Sequence, residues 1–323
     1  MQSSALDILA IAAHRDDVEQ TCGGTLLKMA GRGHRTGILD LTRGEMGTRG
    51  TAEDRAREAA EAARILQVSW REALDLPDGR VENTWHNRLK VARVIRQTRP
   101  RVVILPYWEG RHPDHYTASK LGYEACFLAG LAKLAISHQP SAASEDEESD
   151  FRKVASAVAS IVAREKQTSA STAKVGKTGR PDVTAEGRVL PDSVSAMNSE
   201  SRSLNDSNGP EGSSSRTEVE RLAPHRPFKI IYATLYYDIR PTFVVDISNQ
   251  FESRFESLMA YKSQFNDQEA GRDIFPARAE IRSRIEAMAR YYGILAGVTY
   301  AEPFLQKEVG LVEDVTAIPV KSI

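Results

Sequence analysis

Residues 6–26 read LDILAIAAHRDDVEQTCGGTL. The apolar run at 6–13 is almost unbroken, apart from Asp7. A run of this length and uniformity is a strand buried on both faces, as a parallel sheet covered by helices requires. It stops at His14, Arg15, Asp16 and Asp17, and a glycine-led helical pattern at 24–32 follows. Working outward, comparable runs recur at 36–41, 102–107, 229–237 and 243–247. Between them lie helical patterns at 51–66, rich in alanine and charge, and at 86–99, where Leu89, Val91, Val94 and Ile95 share a side and Pro100 ends the helix. Strand and helix in alternation predict an α/β fold: a Rossmann-like, doubly wound, mostly parallel sheet flanked by helices.

The pattern fails between residues 140 and 221, where Ser, Ala, Lys, Asp, Glu, Asn and Gly dominate. Such a composition buries too little apolar surface to offset its ordering entropy. One short amphipathic stretch at 151–165 places Val154, Val158, Ile161 and Val162 on one stripe. The expected organisation is one domain in two parts, 1–139 and 222–305, around a disordered, serine-rich, low-complexity insertion at 140–221, with a tail at 306–323.

With 43 basic and 44 acidic residues among 323, the net charge is -1. No global basic field suits nucleic acid or an anionic membrane. The two cysteines, Cys22 and Cys126, form neither a disulfide framework nor a paired metal motif. Cys22 in TCGG reads as a small buried residue. The first apolar run is too short to span a bilayer and has no basic flank, so a cytoplasmic protein is expected.

Ligands of open α/β sheets sit beyond the carboxyl ends of the strands. HRDD occupies one such end, and EGRHPDH (109–115) follows the strand RVVILPYW. Taken singly, each has a plain structural reading: a solvated turn or helix cap for the first, X-Pro-Asp turn chemistry for the second. Together they bring imidazoles and carboxylates to two strand ends, which is the donor chemistry of a catalytic metal with an open position. An irregular turn holding two adjacent aspartates can aim one at an ion and leave the other as a general base.

AAHRDDVEQTCGGTL followed by RHPDH resembles the PIG-L/LmbE family of zinc-dependent N-acetylglucosamine deacetylases, and the segments LDLTRGEMGTRGT, DLPDGR, ILPYWEGRHPDH, PHRPFKIIYA, FVVDIS, YKSQF and YAEPF extend the likeness. It is nearest to the bacillithiol-pathway members, which deacetylate N-acetylglucosaminyl-malate. The resemblance implies His14, Asp17 and His115 as zinc ligands and Asp16 as general base. It implies His112 as a protonated imidazole stabilising the oxyanion, with Asp114 orienting it. Ferrous iron suits the same donors. The substrate would be a small GlcNAc conjugate, and the family implies a homo-oligomer, trimeric or hexameric. Arg55 matches an arginine that the family uses near the substrate, and Arg111 abuts the second motif. Either guanidinium suits a malate carboxylate. A helix-surface Arg55 paired with Glu58 or Glu61 is the plain alternative. Tyr236, Tyr237, His225 and Arg226 either line the site or pack in the core. Proline stands in the family where this chain has Arg15, a cation beside the expected base unless it turns to solvent or substrate.

Rivals remain. Within the family, mycothiol-type precursors and chitooligosaccharides are alternative substrates. From a different class, a dinucleotide-binding Rossmann protein would use Gly23-Gly24 after the first strand and Asp40 after the second. It lacks G-x-G-x-x-G, and two carboxylates before the helix repel a pyrophosphate.

Overall fold

The computed structural model describes residues 5–137, 221–234, 239–265 and 277–320. The expected insertion therefore lies, but for Arg221, outside the described residues, as do Tyr236 and Tyr237. The chain on either side of it, Met1–Gln139 with Val219–Ile323, forms one compact unit, and the other unit, Pro140–Glu218, is outside the described residues.

The apolar runs become β1 (Ile8–Ala12), β2 (Thr36–Asp40), β4 (Val102–Pro106), β5 (Lys229–Ala233) and β6 (Phe243–Asp246). Two further strands, β3 (Trp70–Ala73) and β7 (Ala301–Leu305), complete a seven-stranded sheet among the described residues, in the order β3-β2-β1-β4-β5-β7-β6. The first five strands in this order pair in parallel, and β7 runs antiparallel to both neighbours. The mostly parallel α/β sheet is thus as the sequence predicts. β1 alternates as a doubly covered strand must. Leu9 and Ile11 join a core with Val91, Ile95 and Leu121, while Ile8, Ala10 and Ala12 join Val18, Leu26, Ile38 and Phe304 on the opposite face.

The helices α1 (Asp17–Thr21) and α2 (Gly23–Gly31) follow β1, and α3 (Ala52–Ile65) follows β2. α4 (Trp85–Thr98) precedes β4 and α5 (Pro113–Ala129) follows it. α6 (Phe251–Met259), α7 (Lys262–Phe265) and α8 (Arg278–Ala296) lie between β6 and β7. α3 begins with a full capping box, Thr51 with Asp54, and α5 begins with Pro113 after an N-cap at His112.

The chain leaves β1 toward β2 on one side, while β4 pairs with its other edge. That reversal is the switch point at which open α/β sheets bind ligands. Both histidine–aspartate motifs emerge there. The rival dinucleotide site is closed: Glu302 of β7 accepts the N–H groups of Gly24 (2.8 Å) and Thr25 (2.7 Å) at the start of α2. A side chain at position 24 would lie 3.0 Å from that carboxylate, which explains the glycine, and a carboxylate on these two donors repels a pyrophosphate.

Candidate metal centre

β1 releases the chain at Ala13, whose carbonyl accepts the Thr42 hydroxyl (3.0 Å), so the turn that follows is anchored to the neighbouring strand end. Asp17 closes that turn by accepting the His14 backbone N–H at 2.9 Å. The second motif enters at the start of α5, where the His112 Nδ1 accepts the Asp114 backbone N–H (3.2 Å). The two segments meet. His14 Nδ1 lies 3.2 Å from His115 Nε2, His115 Nε2 lies 3.2 Å from Asp17 Oδ1, and His14 Nδ1 lies 3.5 Å from Asp17 Oδ2. An ion bound tetrahedrally through bonds of about 2.0–2.1 Å holds its ligand atoms about 3.3 Å apart. The three separations of this donor triangle are of that size, those to Asp17 running to different oxygens of its carboxylate.

Two sets of donor atoms meet the spacing a cation needs: His14 with His112 and His115, and His14 with Asp78 and Asp114. In the second, His14 Nε2 sits 3.1 Å from Asp78 Oδ1 and 3.4 Å from Asp114 Oδ2. His14 therefore turns Nδ1 to the triangle and Nε2 to two carboxylates, as metal-bound histidines do.

The electrostatics ask for positive charge. Burial would lower the His14 pKa, but hydrogen bonds to Asp114, Asp17 and Asp78 override it and push it up to about 12. For His115, too, the charge of Asp17 outweighs burial and raises the pKa. Burial opposes but does not prevent the strong lowering of Asp17 by the two histidines. A divalent cation would satisfy the same carboxylates. Zn²⁺ and Fe²⁺ both suit two imidazoles and a carboxylate.

Asp16 is turned elsewhere. Its Oδ1 accepts Arg55 Nη2 at 3.1 Å and its Oδ2 accepts Gln20 Nε2 at 3.3 Å. Burial raises its pKa, and Arg55 opposes the rise. Arg55 is itself only 5% exposed, running in a slot over Gly44, so its guanidinium stands on Asp16 rather than at an open surface or on Glu58 or Glu61. Arg111 is exposed beside His112. Asp114 also departs from expectation. Its carboxylate accepts Gly79 N–H (2.8 Å) and Val81 N–H (3.1 Å) and faces His14, while only its backbone reaches His112. His112 is lowered in pKa, by burial first and then by His14 and His115. An Nδ1 that accepts a hydrogen bond places the imidazole proton on Nε2. With Nδ1 accepting, Nε2 is the ring nitrogen left to donate.

Arg15 is buried, and its Nη1 donates to the Ala52 carbonyl at 2.8 Å. His225 is fixed on the Pro100 carbonyl (2.7 Å) and Arg226 lies over Phe127, both away from the donor triangle. Asp78 is the residue that sequence reading missed. Pro-Asp-Gly is ordinary turn chemistry, and nothing local marks its aspartate as facing a histidine 64 positions earlier. Beside the triangle a recess is bounded by Asp17, Val18, Thr21, Tyr107, His115 and Ala233.

Residues 9–126 match the family model PIG-L, described as GlcNAc-PI de-N-acetylase. Diacetylchitobiose deacetylase of Thermococcus kodakarensis is 38% identical over 135 residues, covering 38% of this chain and 50% of the archaeal one, so the matched stretch spans half of that enzyme. An uncharacterized deacetylase of Escherichia coli, YaiS, is 30% identical over 125 residues, covering 37% of this chain and 67% of its own. The conserved protein TT1542 of Thermus thermophilus superposes with a TM-score of 0.62 at 30% identity, covering 95% of this chain and 98% of its own. The sheet, the donor triangle at its switch point and these relatives agree: the chain belongs to the PIG-L family.

Proposed function

We propose that the protein is a metal-dependent N-deacetylase of a GlcNAc conjugate, GlcNAc-malate in bacillithiol biosynthesis being the substrate we favour. The donor triangle of His14, Asp17 and His115 carries the reading, with those three residues as the ligands of Zn²⁺ or Fe²⁺. When bound, the ion supplies Lewis-acid polarisation of an acetamide carbonyl and of water. The chain's own residues do the rest. Asp16 takes a proton from the attacking water as its oxygen bonds to the carbonyl carbon. His112 Nε2–H donates to the oxygen on which negative charge develops. Asp16 then returns its proton to the departing nitrogen as the C–N bond breaks, leaving acetate and a free amine. The recess lined by Val18, Thr21 and Ala233 offers an apolar wall to a small acyl group.

The malate preference rests on the bacillithiol-type flanking segments and on the exposed guanidinium of Arg111 beside His112, suited to a carboxylate. A chitooligosaccharide is the second reading, favoured by the diacetylchitobiose deacetylase among the relatives. Incubation with GlcNAc-malate, GlcNAc-inositol, N,N'-diacetylchitobiose and free GlcNAc, with released amine measured, tests both. Turnover of GlcNAc-malate no faster than of free GlcNAc rejects the preferred substrate.

A further inference from the structure

His14 is held from behind by a turn to which the proposed reaction assigns no role. An imidazole that ligates through Nδ1 must keep its proton on Nε2, and something has to hold that proton there. Asp78 Oδ1 lies 3.1 Å from His14 Nε2, nearer than Asp114 Oδ2 at 3.4 Å. The Asp114 oxygen that faces His14 is also the one that accepts the Gly79 N–H. Asp78 divides its work differently. Oδ1 faces His14, and Oδ2 accepts the Met46 backbone N–H at 2.9 Å. The Asp78 N–H in turn donates to Glu45 Oε1 at 2.9 Å. The next residue, Gly79, has φ +75, so the turn that aims Asp78 at His14 and Gly79 at Asp114 needs a residue without a side chain.

We propose that Asp78 is a positioning residue that fixes the Nε2–H tautomer of His14, so that Nδ1 faces the cation, and joins this ligand to the 43–50 loop through Met46. This rests on the reading of His14, Asp17 and His115 as metal ligands. Asp78→Asn disturbs it whichever way the amide lies. With its oxygen toward His14, the amide nitrogen meets the Met46 N–H, donor against donor. With its nitrogen toward His14, it asks Nε2 to accept and moves the imidazole proton to Nδ1, where the cation belongs.

The test is zinc affinity of the full-length protein, stripped of metal and titrated in competition with a chromophoric chelator, together with the visible spectrum of the Co²⁺-loaded form. Asp78→Asn is expected to weaken zinc binding by about 10- to 100-fold and to change the Co²⁺ spectrum. Asp75→Asn, an exposed neighbour paired with Arg43, is expected to change neither. Asp78→Ser removes the carboxylate without presenting an amide and serves where the asparagine variant does not fold. Unchanged zinc affinity and an unchanged Co²⁺ spectrum in the folded variant overturn the assignment. A wild-type protein that takes up no stoichiometric zinc overturns the metal reading itself.

Discussion

Arg55 offers the sharpest test of the geometry, because sequence and structure give it different duties. By resemblance it touches substrate. In the structure its Nη2 stands 3.1 Å from Asp16 Oδ1, and both side chains are largely shielded, 6% and 15% exposed. At that separation and an effective dielectric of 20, the bare Coulomb attraction is about 5 kcal/mol. Water entering the vacated slot and relaxation of Gln20 toward Asp16 reduce what survives. A carboxylate beside an arginine is typically lowered by about one to three pH units, or about 1.4–4 kcal/mol. Arg55→Met keeps the length and apolar stem while removing the charge. Burial then raises Asp16 unopposed by its nearest cation, and the base stays protonated to higher pH. The acid limb of kcat/KM should move up by about one to three pH units. The variant should therefore lose about 10- to 1,000-fold on that limb and approach wild type at alkaline pH, with Arg55→Lys intermediate. The assay is the pH–rate profile of amine release, with metal saturation checked at each pH. An unmoved limb with a KM raised equally at every pH would refute the positioning of Asp16 by Arg55 and return the arginine to the substrate.

Asp16→Asn should retain its metal, since Asp16 stands outside the donor triangle, yet lose about 10²- to 10⁴-fold in turnover. Equal loss of metal would mean that Asp16 and Asp17 have exchanged roles. Arg71→Met should destabilise by about 3–5 kcal/mol. Arg71 Nη1 donates to Glu19 Oε1 (2.6 Å) and Nε to Asp40 Oδ2 (2.9 Å), both acceptors being fully buried, and a denaturant midpoint measures the cost of leaving them unpaired. The metal-free protein should lose stability as pH rises from about 6.5. His14 binds its proton more tightly when folded, so its contribution is complete below the unfolded pKa and is lost above it, by up to about 1.4 kcal/mol per pH unit. Saturating zinc should flatten that slope, and a melting temperature of the metal-free protein that rises with pH would contradict the charge pattern. Replacing residues 140–218 by a short Gly-Ser linker should leave folding and turnover largely intact. Ser137 and Arg221 pair across the interruption, and Arg96 binds the carbonyls of both Leu134 (2.9 Å) and Leu222 (3.2 Å), so the described residues on either side of it already meet. An insoluble product would show that the segment contributes to the fold.

The strands that sequence reading found are those that carry a run of apolar side chains, and the two it missed lack one for physical reasons. β3 reads WREA, and its Arg71 turns inward to neutralise Glu19 and Asp40, so its charge is a core feature that looks like a surface one. β7 carries Pro303, which argues against an inner strand. The strand tolerates it because pairing with β5 is confined to Phe304 and Leu305, beyond the proline. The donor triangle was legible because each half is contiguous and lies at a strand end. Partners drawn from a third segment were not. Asp78 reaches His14, and Glu302 reaches the start of α2, only through long-range folding that no local pattern encodes.

Arg15 shows how the family's turn survives the loss of proline. Placed between His14 and Asp16, its cation would be expected to tune Asp16, but the side chain leaves the turn and binds a different element. Nη1 donates to the Ala52 carbonyl, in the first turn of the helix that carries Arg55. Burial depresses the Arg15 pKa and Asp40 opposes the fall, so the charge is answered from β2 rather than from Asp16 or Asp17. The restraint that proline exerts through a fixed φ is here exerted through a tether, from the end of β1 to the start of α3. The tether joins the turn after β1 to the helix that carries Arg55, doing for the turn what a fixed φ would do. Arg15→Pro should accordingly leave the acid limb of the rate profile where it is, whereas Arg15→Ala, which loses both restraints, should lower turnover and melting temperature together.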